Sequence, residues 1–166
     1  EVSLTTNIYA YNNLDFGEVQ ANNASLVLIK SQYVHTCNNA LNFSTVVANP
    51  QPDNPINGFS IKSPTSDVEP GKCIAYRIEA YNRGHVDLKE IQINDQLQVK
   101  SQTNLVTSVF ALPVPKGDPT SLYTGTTLPT GTITSELFNL NKPIGSTPTK
   151  ATLYFNTKYG TTVNAQ

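Results

Sequence analysis

The chain has 166 residues, a length suited to one domain. Charged residues make up only 14% of it and the formal net charge is −1, which excludes a highly charged disordered tail and removes the basic footprint of a nucleic-acid binder. Thr, Asn and Ser fill 50 positions, Met and Trp are absent, and His and Cys number two each, so coiled coils and helical bundles are disfavoured and little is left to build a catalytic or metal site.

Strand-like alternation recurs along the chain and helical periodicity does not. In residues 2–10, Val2, Leu4, Thr6, Ile8 and Ala10 share one face, with Ser3, Thr5, Asn7 and Tyr9 opposite. Asn12-Asn13 then reads as a turn. Residues 26–29 (Leu-Val-Leu-Ile) form a continuous apolar run, suited to a strand covered on both sides. Residues 49–58 carry three prolines and a glycine, too many for a central strand. From Cys73 to Asn82 the pattern turns Ile74, Tyr76, Ile78 and Ala80 inward and Arg77, Glu79 and Tyr81 outward. Asn82-Arg-Gly84 marks a turn, and a strand resumes from Leu88 to Asn94 with Ile91 and Ile93 on one face. Residues 113–149 are rich in Pro, Gly and Thr and read as long surface loops. A linker is the alternative, with Leu122, Tyr123, Ile133, Leu137 and Phe138 as anchors against it. Ala151, Leu153, Phe155 and Tyr159 then alternate with Lys150, Thr152, Tyr154, Asn156 and Lys158. The expected fold is all-β: an Ig-like antiparallel β-sandwich over residues 26–166, with residues 1–25 adding an N-terminal strand.

Cys37 and Cys73 are separated by 35 residues, far from a Cys-x-x-Cys motif. A bridge closing that loop is worth about 4 kcal/mol in the chain-entropy account. A structural disulfide in an oxidising compartment is one reading and two reduced core cysteines the other. A chain opening on Glu1 fits removal of a targeting segment, although cleavage of a tag leaves the same mark, and no apolar run approaches the length of a membrane span.

Catalysis finds little support. His35 lies two residues from Cys37, which places both on one strand face, but a bridged Cys37 has no thiolate to offer. His85 follows Gly84 in a turn and reads as solvated. The acidic residues are dispersed singly and form no calcium loop. No catalytic, cofactor or metal residue is therefore assigned. Lys30, Lys89 and Lys158 fall in predicted strands and read as edge or solvent-facing lysines, with an intramolecular isopeptide crosslink as the alternative.

The middle of the chain resembles the Ig-like surface repeat domain of bacterial and archaeal envelope proteins known as domain of unknown function eleven. The likeness rests on Leu28-Ile-Lys30, Pro70-Gly71-Lys72, the strand Tyr76-Arg-Ile-Glu-Ala-Tyr-Asn82, Gly84, and Ile91-Gln-Ile-Asn-Asp95. Cys37 and Cys73 are placed as in a cysteine-bearing subset, and Pro143-Ile-Gly145 with Ala151-Thr-Leu-Tyr-Phe155 is similar to the closing turn and strand. Two departures stand out: Lys72 replaces the usual Asp, and Gln96-Leu97 lacks the customary following proline. The resemblance implies a secreted structural module without enzymatic activity.

That pattern does not need residues 1–25, so the alternating segment within them requires its own account. A strand's backbone groups must be paired, either within the chain's own sheet or on the sheet edge of a neighbouring copy. In the second case Val2, Leu4, Thr6, Ile8 and Ala10 form an assembly strand, and each copy gives one strand and takes another. Such head-to-tail contacts grow into filaments. The expectation is a secreted, cell-surface subunit of a pilus-like homopolymer. The alternative is a monomeric adhesin or ligand-binding module using its Pro/Gly-rich loops, for a surface or glycan ligand. No nucleic acid, membrane span or cofactor is expected.

Overall fold

A computed structural model of the protein describes residues 23–46, 55–62, 68–97, 106–125 and 131–161. Within them eight strands and two single-turn 3-10 helices follow one another: β1 Leu26–His35, a 3-10 turn at Phe43–Thr45, β2 Cys73–Asn82, β3 Leu88–Ile91, β4 Asn94–Gln96, β5 Val106–Asp118, a second 3-10 turn at Thr120–Leu122, β6 Thr132–Thr134, β7 Phe138–Leu140 and β8 Thr149–Thr161. The fold is all-β with antiparallel pairing throughout, as the alternation predicts.

The main sheet runs β1-β2-β8-β5, and two small two-stranded sheets, β3-β7 and β4-β6, complete a sandwich-like arrangement. Pairing partners lie on one face of a sheet. Register sets Leu28 beside Ala80 and Ala80 beside Ala151, then Lys30 beside Ile78 and Ile78 beside Leu153. Ile78, Ala80, Ala151, Leu153 and Phe155 are the sheet's contribution to the main core, closed from the other side by Ile93, Leu97, Leu122, Ile133 and Leu140. Leu153 and Phe155 lose all contact with water, worth about 2 kcal/mol each.

The opposite face carries a second cluster of Phe43, Phe59 and Ala75, with Tyr33, Leu41, Val46 and Tyr154 packed around it. Phe43 stacks on Tyr154 at 5.4 Å between ring centres. This cluster corrects the expected outward face of β2. Glu79 is buried and Arg77 half-buried, because loop residues cover that side of the central strand. Glu79 accepts from Lys150 Nζ at 2.9 Å, and Arg77 Nε donates to Ser31 Oγ at 3.1 Å.

Residues 26–29 do form a strand, but it is not covered on both sides. β1 is the edge of the main sheet, and Leu26 and Leu28 are 44% and 54% exposed. The expected loops at 113–149 are also corrected: the segment holds the end of β5, the second 3-10 turn, β6 and β7. Leu122, Ile133 and Leu140 from it enter the main core, while Tyr123 and Phe138 pack against its rim and Leu137 stays exposed. Two three-residue strands are too short for alternation to announce, and the prolines around them signal turns more loudly. The strand expected from Leu88 onward is split in two. Glu90 takes φ 56° and the register shifts, so β3 pairs with β7 and β4 with β6. Ile91 and Ile93 still reach the same core.

Candidate functional site

The two edges of the main sheet are built differently. At the β5 edge, the register shifts between Ala111 and Lys116 around Leu112-Pro113-Val114-Pro115. Proline donates no backbone hydrogen bond and a bulge bends the strand away, so this edge resists pairing with another chain. Asn156 fills the gap that the bulge leaves, its Nδ2 donating to Leu112 O at 2.7 Å.

The β1 edge has none of these protections over its first half. Its later half is occupied: Gln32 and Ser60 exchange both backbone hydrogen bonds, at 2.8 and 2.9 Å, and Val34 N donates to Pro55 O at 3.0 Å. Backbone groups alternate sides along an antiparallel strand. Leu26, Leu28 and Lys30 therefore direct their N–H and C=O groups to the same side as Gln32, away from β2. Among the described residues no strand pairs with them. The far end of this window is set by residues 23–25, which run beside the 83–85 turn through Arg83 N to Ser25 O and His85 N to Asn23 O, both 2.9 Å. The open window spans five residues, about 17 Å. Leu28 lies in the row of Ala80 and Ala151, so the main core's floor continues out to this edge and is left in water there.

Lys30 closes the window. Its Nζ lies 2.6 Å from Asp95 Oδ2 in β4 and 4.5 Å from the centre of the Tyr76 ring. Oδ2 is enclosed and faces no hydrogen-bond partner besides that ammonium. Burial, with the Asp95 charge adding to it, pushes the Tyr76 hydroxyl up to about 12, so it stays protonated. A cavity of about 250 Å³ opens beside the pair, with Gln32, Ile61 and Leu97 in its walls.

The expected disulfide is present: Cys37 and Cys73 are bonded, with Cα atoms 4.8 Å apart. It joins the exit of β1 to the entry of β2, with Cys37 in the left-handed region at φ 54°. His35 is buried. Asn38 N donates to His35 Nδ1 at 3.3 Å, which leaves the proton on Nε2, facing Asn156 Oδ1 at 2.9 Å. His35, opposite Cys73, and Asn156, opposite Ala75, meet diagonally across β2.

Val2, Leu4, Thr6, Ile8 and Ala10, the expected assembly strand, lie outside the described residues. Of the three lysines, Lys89 is exposed and Lys158 half-buried, while Lys30 alone is engaged across the sandwich. Sequence reasoning missed the exposed edge of β1 and the Lys30–Asp95 pair. Leu26 and Leu28 look like core residues in a run, and Lys30 and Asp95 are too distant in sequence for any local pattern to join them. Among the described residues no group of His, Cys, Asp and Glu could hold a metal ion, and no helix is long and apolar enough to cross a membrane. No family model, curated protein or solved structure matches the chain. Among the described residues, what remains is an all-β, disulfide-bonded fold with one guarded sheet edge and one that no described strand pairs.

Proposed function

We propose that this protein is a secreted structural subunit that builds an extracellular filament, lending residues 2–10 as a strand to the β1 edge of the next copy. It is a non-enzymatic module and needs no cofactor. The observation that carries this reading is the asymmetry of the main sheet: Pro113, Pro115 and a bulge guard β5, while the Leu26 and Leu28 edge is open and apolar. An incoming alternating strand would pair with the backbone of Leu26, Leu28 and Lys30 and lay Leu4 or Ile8 over Leu28, extending the core across the boundary. The disulfide fits an oxidising compartment outside the cytosol. Removing residues 1–12 should leave a folded domain that forms no high-mass species, and Leu28→Lys should do the same from the acceptor side. Negative-stain imaging and light scattering read both. A wild type that stays monomeric at every concentration tested would end the proposal.

One observation favours the second reading, a surface adhesin. An open cleft of about 720 Å³ lies between the 83–85 and 142–148 turns, lined by Arg83, His85, Lys142, Pro143 and Pro148. Its cationic side chains suit an anionic group on a glycan or protein. Arg83→Ala with Lys142→Ala would then abolish surface adhesion while leaving polymer content unchanged.

A further inference from the structure

We propose that Lys30 and Asp95 condense into an intramolecular amide that bonds β1 to β4 across the two layers of the sandwich. The inference stands independently of filament assembly. Lys30 Nζ is 2.6 Å from Asp95 Oδ2, within reach of the carboxyl carbon after a small rotation. The amine is placed from two sides: the backbone of β1 fixes its stem, and the Tyr76 ring lies 4.5 Å below it. The Asp95 side chain is 16% exposed, and β4 holds its backbone opposite Ile133 at the heart of the main core. Both backbones are held in sheets, Lys30 opposite Ile78 and Asp95 opposite Ile133, so the two stems keep their spacing while the Lys30 side chain, 47% exposed, supplies the rotation.

The step balances without an oxidant or co-reactant. One proton passes from the ammonium to the carboxylate, giving a neutral amine and a neutral acid. The nitrogen lone pair attacks the carboxyl carbon and a new C–N bond forms. The C–O bond then breaks, and the hydroxyl leaves with a second amine proton as water. A zwitterionic pair thus becomes a neutral amide plus one water, which can leave through the cavity beside Gln32 and Leu97. Fixed geometry favours the product, because it gives the reaction an effective concentration far above any attainable in solution. The consequence is mechanical. β1 is an edge strand whose first half is held by the ladder to β2, while the Ser60 and Pro55 contacts and the Cys37–Cys73 bridge secure its later half and exit. An amide at Lys30 pins its middle as well, so a pull on the β1 edge meets a covalent bond instead of a row of hydrogen bonds.

Intact mass spectrometry of the full chain, freshly purified and after prolonged incubation at physiological temperature, tests this directly. The expected wild type is lighter than its sequence by two hydrogens, for the disulfide, and by one water. Digestion should release a branched peptide joining Lys30 to Asp95. Lys30→Arg and Asp95→Ala should each restore the water and keep the loss of two hydrogens. A wild type lacking only two hydrogens in both samples would overturn the proposal. So would a water loss that survives either substitution, since that loss would arise elsewhere.

Discussion

Gly84 shows how much one missing side chain can decide. Asn82 is fully buried at the end of β2, where its Oδ1 accepts from Gly84 N at 2.9 Å and its Nδ2 faces the carbonyls of Val86, Leu140 and Asn141 at 2.8–3.2 Å. That network pulls the turn so close to residues 23–25 that a Cβ on Gly84 would lie 2.6 Å from Ser25 N and closer still to Asn23 O. Backbone cannot yield as a flexible side chain can. Gly84→Ala is expected to cost about 1–3 kcal/mol, read as a lowered midpoint in urea. His35 makes a second prediction. Burial holds its imidazole below the ordinary 6.5, against the opposing hydrogen bond to Asn156. Below about 6.5 the unfolded chain takes up a proton that the folded chain refuses, so stability falls from there down to the lowered folded value and is flat above. The unfolding free energy should decline between pH 7 and 5 in the wild type and decline less in His35→Gln. Glu79 acts in a lower range. Burial alone would raise its carboxyl, but the Lys150 hydrogen bond and the Arg77 and Lys150 charges outweigh that and leave it lowered from 4.5. Its contribution is present above 4.5 and is lost as pH falls through the lowered value.

At the scale of elements, β1 is the strand on which the molecule's special features converge. The disulfide ties its exit to β2, and the loop so closed carries Phe43 and Phe59, which build the second cluster. Replacing both cysteines, Cys37→Ser with Cys73→Ser, is expected to cost about 2–4 kcal/mol, measured by calorimetry against the oxidised wild type. The long strands β2 and β8 were legible because ten or more residues of alternation outweigh local noise. Even there, Ala75, Thr152 and Asn156 are buried on the face that alternation turns outward. Central strands are covered on both sides, and which loops do the covering is not written in the strand. The first half of β1 failed in the opposite sense: an apolar run at an edge reads the same as one at a centre.

At the scale of the whole molecule, strand donation predicts a polarity that mixing experiments can read. A chain lacking residues 1–12 can accept but not donate, and Leu28→Lys can donate but not accept. Each alone should be monomeric, each added to wild type should shorten filaments, and the two together should form discrete heterodimers, visible by size-exclusion chromatography with light scattering. Homopolymers with a large charge per copy repel themselves, and a net charge of −1 keeps that cost small. Cis pairing of residues 2–10 on their own β1 predicts a different result, since the mixed variants would stay monomeric.

The sequence alone determined the class of fold, the strands β2 and β8, the Asn82–Gly84 turn and the separation of the two cysteines. These depend on local backbone preference and on a side-chain period of two, both carried by neighbours along the chain. It also marked the alternating segment at residues 2–10. Tertiary structure alone decided which strand became an edge, which edge was guarded, that Lys30 faces Asp95, and that His35 reaches Asn156 across β2. Those are relations between residues dozens of positions apart. They are set by strand order and sheet register, which a period along the chain does not encode.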